Sequence, residues 1–276
     1  MSDDRRAAVV GAVVACLVVT TAAFVPPLVS ARPANQIPVE SVRTGENPAD
    51  PTGEAWDAVP PVEVPMASAP SGLPNASDTS VSALRVQAAR TDARIYLRLS
   101  WGDGTADRNA SDPRRFVDAA AVQVPVNTTE RPPISMGSTR NRVNVWYWGA
   151  DDTTEELLAG GPGTTTEFDR AAVNASPRYD DGRWTVVLSR PVASDATNRT
   201  TLAVDHDVDV AFAVWNGSNM ERAGRKSVSE WYHFALGPGP QGPPYESILW
   251  VVAGFAVVGT ALVTIQGVRG NRGETR

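Results

Sequence analysis

Arg94-Ile-Tyr-Leu-Arg-Leu-Ser-Trp-Gly102 decides the fold of this chain. Ile95, Leu97, Leu99 and Trp101 recur at a period of two, so an extended backbone puts all four on one face. A helix would scatter that row around its axis. Working outward, Leu84, Val86 and Ala88 repeat the period upstream, with a Thr91-Asp92 turn between the two runs. Val143, Val145 and Tyr147 make a third row, and Trp184, Val186 and Leu188 a fourth. Ala119 to Val126 and Val208 to Trp215 are apolar almost continuously, as expected of central strands covered on both sides, and Trp231 to Leu236 closes the set. Gly102-Asp-Gly104 and Asp180-Asp-Gly182 punctuate the rows, the second as a hairpin signal. About seven or eight short strands, with no long stripe of helical period and no internal repeat, predict an all-β domain: an antiparallel β-sandwich of immunoglobulin-like or jelly-roll-like kind.

The chain ends read differently. Ala7 to Val25 is uncharged and preceded by Arg5-Arg6; Ile248 to Ile265 is uncharged and followed by Arg269, Arg272 and Arg276. Each is long enough to span a bilayer, so N- and C-terminal transmembrane helices are expected to flank the sandwich. Positive flanks at both ends put the termini in the cytoplasm and the middle on the extracytoplasmic side of the cell membrane. Tyr245 and Trp250 then fall at the outer interface. Val29-Ser30-Ala31 also has the small-residue pattern of a cleavage site, so the first segment reads either as a signal anchor or as a removed signal peptide. Proline-punctuated stretches adjoin both segments and read as extended tethers. The expected organisation is 1–31 signal anchor or signal peptide, 32–50 linker, 51–236 β-sandwich, 237–246 Pro/Gly linker, 247–266 transmembrane helix and 267–276 basic cytoplasmic tail. Sequons at Asn75, Asn109, Asn127, Asn174, Asn198 and Asn216 agree with an external location.

Composition removes several functions. With 25 basic against 31 acidic residues the chain carries a net charge of −6, which argues against a nucleic-acid partner. Abundant Asp, Ala, Val and Thr with almost no Lys suggests a surface kept hydrated at high salt. Cys16 is the single cysteine and lies in the first apolar run, so the domain has no disulfide, thiolate metal site, iron–sulfur ligand or covalent haem attachment. His206 and His233 are the only histidines, too few for a multi-histidine zinc or copper site. Nucleophile elbow, phosphate loop, HExxH and CxxC are all missing from the sequence.

Two patches stand out. One is Pro132-Pro-Ile-Ser-Met136-Gly-Ser-Thr-Arg140, leading into Trp146-Tyr-Trp148; the other runs from Trp215 through Arg225-Lys226 to Trp231. Lys226 is the only lysine among the 25 basic residues. A chain that otherwise uses Arg has Lys at one place, and only Lys can lose its proton to become a neutral amine. Alone, a single Met would be read as core filler and a single Lys as a solvated charge.

Trp56-Asp-Ala-Val-Pro-Pro, Trp101-Gly-Asp-Gly-Thr, Phe116-Val-Asp-Ala-Ala-Ala-Val-Gln, Met136-Gly with Val143-Asn-Val-Trp-Tyr-Trp148, and Ala211-Phe-Ala-Val-Trp-Asn-Gly followed by Gly224-Arg-Lys-Ser-Val-Ser-Glu-Trp-Tyr232 occur in a telling order. Together they resemble the haem-binding gamma subunit of the ethylbenzene dehydrogenase and dimethylsulfide dehydrogenase type of molybdenum enzymes. The resemblance covers most of the domain. It implies a b-type haem held in a β-sandwich, with Met136 and Lys226 as its axial iron ligands. It also implies an electron-transfer subunit, itself not an enzyme, that serves a molybdopterin catalytic subunit through an iron–sulfur subunit. Gly137 would let the backbone approach the porphyrin. His233 stands in reserve as a ligand, and His206 reads as a solvated turn residue. Arg140, Arg142, Arg222 and Arg225 flank the two loops and are candidates to pair with haem propionates. Trp101, Trp146, Trp148, Trp215 and Trp231 are read first as core. Eight tryptophans also fit a different protein, an exported sandwich that binds carbohydrate or another surface ligand without haem.

Overall fold

Among the described residues, apolar side chains that alternate in short runs between turns fold into fourteen strands. The computed structural model describes residues 35–43, 45–110, 112–194, 196–202 and 206–237, all within one compact unit, Pro33–Gly239. The first seven strands are β1 (Gln36–Ser41), β2 (Val62–Pro65), β3 (Ala67–Ser68), β4 (Ala83–Arg90), β5 (Arg94–Gly102), β6 (Ala119–Pro125) and β7 (Val143–Gly149). The others are β8 (Thr154–Ala159), β9 (Thr166–Glu167), β10 (Asn174–Asp180), β11 (Arg183–Pro191), β12 (Val208–Trp215), β13 (Ser227–Val228) and β14 (Tyr232–Ala235). The Asp180-Asp-Gly182 signal makes the β10–β11 hairpin, with Asp181 at φ 45° and Gly182 at φ 70°. Two successive positive φ values give a turn whose twist matches the strands it joins.

Hydrogen-bonded neighbours run β10-β11-β5-β4-β1-β14-β12-β6-β7-β8-β9. Strand β1 is the join. Its first half, Gln36 to Pro38, pairs parallel with His233 to Ala235 of β14, and its second half, Val39 to Ser41, pairs parallel with Ala88 to Arg90 of β4. The two halves of the curled sheet share one core, in which Leu97, Leu99, Val86 and Val186 pack with Val122, Trp146, Phe212 and Phe234. Trp148 from one half meets Trp101 edge-on at 6.3 Å and Trp184 at 4.9 Å from the other.

Two expectations are corrected. The sandwich is not a pair of separate antiparallel sheets flanked by transmembrane helices. Residues 36–41, read as tether, form the strand that covers the open edges of β4 and β14 and so closes two sheets into one path. Among the described residues the only helix is the single 3-10 turn Glu54–Trp56, and no helix is long and apolar enough to cross a membrane. Apolar runs of period two broken by turns cannot build one. The terminal stretches 7–25 and 248–265, on which the flanking helices were expected, lie outside the described residues.

A polar layer lies at one end of the core. Arg190 continues the row of Trp184, Val186 and Leu188, and its Nη1 donates to Asn144 Oδ1 at 2.6 Å and to Glu156 Oε1 at 3.5 Å. Its Nη2 donates to the Thr200 carbonyl, and the guanidinium sits 5.1 Å from the Trp146 ring centroid. Glu156 also accepts from Arg199 Nε at 3.0 Å and from the Ala172 amide at 2.8 Å. Burial pushes Arg190 down to about 10, against the pull of Glu156. Removing Glu156 strands a buried cation, so Glu156→Ala is expected to lower the free energy of urea unfolding by about 3–5 kcal/mol. A loss under about 1 kcal/mol, the worth of an exposed pair, would contradict this assignment.

Candidate functional site

Because one face of β6, β7 and β12 is spent on the core, period two leaves their other face to be explained. Pairing aligns Trp215 with Ala119 and Gly149, Ala213 with Ala121 and Tyr147, and Ala211 with Gln123 and Val145. The β6 and β12 part of this outer face is therefore mostly alanine, with Trp215, Tyr147 and Val145 beside it. Ala121, Val145, Ala211 and Trp231 form a second buried cluster, against which Met136, Tyr147, Leu157 and Trp215 pack. Small residues between large ones leave a shallow floor suited to a flat apolar group. Beside it opens a cavity of about 290 Å³ lined by Phe116, Ala119, Tyr147, Trp215 and Arg222, among others.

Met136 reaches this face on a strained loop. Its φ is 65°, its amide donates to the Ile134 carbonyl at 2.9 Å, and its own carbonyl accepts from Gly161 at 2.9 Å. Gln123 Nε2 on β6 donates to the Ile134 carbonyl at 2.7 Å, tying the loop to the sheet. A methionine in the left-handed region persists only where its surroundings hold it there. Gly137 follows at φ 74°, and a Cβ there would meet the Asn141 carbonyl oxygen at 2.8 Å and Val143 Cγ1 at 3.2 Å. The space over Gly137 is thus filled by the chain itself; this glycine serves the turn and not an approach to a cofactor.

Lys226 comes to the same face from the loop between β12 and β13. Its Nζ lies 4.8 Å from the Trp215 ring centroid. Among the described residues the amine makes no hydrogen bond and no ion pair, and burial alone holds it below the ordinary lysine value. The loop is firmly anchored. Gly217 donates to Asp118 Oδ1 at 2.8 Å, Asn216 to Glu221 Oε2 at 3.1 Å, and Arg225 Nη2 to Asp78 Oδ2 at 2.8 Å. A Cβ on Gly217 would lie 2.0 Å from the Phe116 carbonyl oxygen, so only glycine passes there.

Other candidates separate cleanly. Arg225 is spent on Asp78, whereas Arg140, Arg142 and Arg222 are exposed, Arg222 lying 4.5 Å from the Phe116 ring centroid. His233 faces Asp207 at 3.8 Å, and His206 Nε2 is 2.8 Å from Thr128 Oγ1. Trp101, Trp146 and Trp148 belong to the main core; Trp215 and Trp231 belong to the outer cluster.

The family model described as ethylbenzene dehydrogenase matches residues 53–167 and 161–227, a span that holds both Met136 and Lys226. A Haloferax mediterranei protein named as a respiratory nitrate reductase haem subunit is 72% identical over 272 residues, covering 99% of each chain. The chain belongs to the ethylbenzene dehydrogenase family. Within this wider set, chlorate reductase subunit gamma of Ideonella dechloratans is 38% identical over 191 residues, 68% of this chain and 80% of that one. Dimethylsulfide dehydrogenase subunit gamma of Rhodovulum sulfidophilum is 35% identical over 218 residues, 74% of this chain and 82% of its own. Among solved structures, a family 9 carbohydrate-binding module of Caldicellulosiruptor kristjanssonii superposes with a TM-score of 0.46 at 12% identity, over 76% of this chain and all of that one. The carbohydrate-binding alternative is left with this distant likeness.

Sequence reading missed the alanine floor. Its signal was the small size of Ala119, Ala121, Ala211 and Ala213 at every second position of two runs read only as apolar. The titration of Lys226 is open to measurement in haem-free chain. Its folded value lies below the unfolded one, so between the two the unfolded chain binds more protons and stability rises with pH. That rise ends near the unfolded value of about 10.4. Lys226→Met is expected to flatten this alkaline slope in urea titrations; an unchanged slope would place the amine in solvent.

Proposed function

We propose that this chain carries a b-type haem with Met136 and Lys226 as its axial ligands, and that it relays electrons to or from a molybdopterin catalytic subunit through an iron–sulfur subunit. Its working place in this reading is the extracytoplasmic face of the cell membrane. Its kinship with haem and gamma subunits of respiratory oxidoreductases supports the class of function. The observation that carries the ligand assignment is Lys226, a half-buried amine with no acceptor among the described residues, set over Trp215 of the cluster against which Met136 packs. Partial burial without an acceptor eases loss of the proton, which would leave the lone pair for a metal.

The residues fit the group. Haem supplies reversible one-electron exchange at its iron, which neither side chain could perform. Met136 offers a soft thioether that favours the reduced metal and raises its potential. Lys226, relieved of part of its preference for the proton by burial, offers a neutral nitrogen at lower cost than a solvated lysine would. Ala119, Ala121, Ala211 and Ala213 keep the floor low, and Trp215 and Tyr147 stand edge to face beside it. Exposed Arg222 is placed to meet carboxylates at the rim.

Full-length chain supplied with haem, compared with Met136→Ala, Lys226→Ala and Lys226→Arg by reduced-minus-oxidised visible spectroscopy, tests the ligands. Each variant is expected to shift the spectrum or lose the haem, Lys226→Arg as fully as Lys226→Ala because a guanidinium keeps its proton. Haem retained with an unaltered spectrum in the Lys226 variants would move the ligand elsewhere, with His233 next.

A further inference from the structure

We infer that Asp103, Asp107 and Asp118 form a binding site for a calcium-class cation beneath the loop that carries Lys226. The three residues each offer a carboxylate oxygen, and these oxygens lie within 4.8 Å of one another. Oxygens bound to one calcium at about 2.3–2.6 Å fall within about 5 Å of each other, so the group has the right span before any movement. All donors are hard oxygens, the kind calcium takes, whereas zinc and copper sites ordinarily include nitrogen or sulfur.

A second observation points the same way. Asp103 is only 4% exposed, and its Oδ2 is buried without a hydrogen-bond partner. Asp118 is 0% exposed beside it, and no arginine or lysine pairs with either among the described residues. Neighbouring buried carboxylates with no counter-charge are costly, and native proteins resolve them with a proton or a cation. Burial and Asp118 push Asp103 up to about 7, which is the same electrostatic stress seen from the proton's side.

Position gives the cation something to do. Asp103 follows β5, Asp118 precedes β6, and both hold the start of the 216–226 loop. Asp118 Oδ1 accepts from the Gly217 amide at 2.8 Å, and Asp103 Oδ1 accepts from Asn216 Nδ2 at 3.4 Å. Trp184 Nε1 also donates to Asp118 Oδ2 at 2.9 Å, so the same carboxylate reaches into the main core. A cation there would tie the β5 turn, the entry to β6 and the lysine loop into one unit.

The test is calcium titration of chelator-treated full-length chain without haem, read by calorimetry, thermal unfolding and hydrogen exchange of residues 216–226. Wild type is expected to take up one calcium, melt at higher temperature with calcium than with chelator, and slow exchange in the loop. Asp103→Asn, which keeps Oδ1 and removes the charge, is expected to bind calcium at least tenfold more weakly and to melt no lower than wild type in chelator. Asp107→Asn, at the more exposed member, is expected to weaken binding without unfolding the chain. No calcium uptake by wild type, with Asp103→Asn simply more stable, would overturn the proposal in favour of a shared proton. Uptake undiminished in both variants would overturn it in favour of another site. None of these readouts involves haem, so the outcome is separable from that of the haem assignment.

Discussion

Trp148 packed edge-on against the Trp101–Trp184 pair is the contact on which the remainder of the fold depends. It brings the two halves of the curled sheet face to face and commits the inner side of every long strand to one core. Once that side is committed, period two fixes what the other side of each strand can show to its surroundings. On β6 and β12 that other side is largely alanine, and on β7 it is Val143, Val145 and Tyr147, where a solvent-facing sheet would carry polar residues. The proposed site lies on the face the core does not use.

Much of this was legible in the sequence, for a physical reason. Rows such as Ile95, Leu97, Leu99 and Trp101 advertise a face because a strand's geometry is local, and the Asp180-Asp-Gly182 turn encodes its own hairpin. Continuous apolarity in Ala119 to Val126 and Val208 to Trp215 announced strands covered on both sides, as found. Which face was which could not be read. Val143, Val145 and Tyr147 form a clean row, yet they point to the outer cluster while Trp146 and Trp148 point inward. Strand β1 was also hidden, since Gln36–Ser41 carries a single fully buried side chain, Ile37, and its two parallel pairings are long-range. The Arg190–Glu156 layer and the Asp103–Asp118 pair were hidden for the same cause: charged residues look solvent-facing until tertiary pairing buries them.

Met136 and Lys226 illustrate how the chain divides labour between backbone and side chain. Both are held by their backbones, Met136 through Ile134 and Gly161, Lys226 through Ala69 and the anchored 216–226 loop. Their side chains make no polar commitment of their own. Side chains held in that way would lose little if they bind a group, because the ordering has been done during folding. Under the proposed ligation the one lysine in a chain whose other cations are arginines has a reason, since an arginine on that loop would keep its proton and offer no lone pair.

The most direct measurement is a spectroelectrochemical titration of the purified full-length chain, with haem content determined on the same sample. The ligation and relay described above predict one haem b per chain and a single reversible one-electron wave. A folded chain that takes up no haem, or that binds it without reversible reduction, would contradict them.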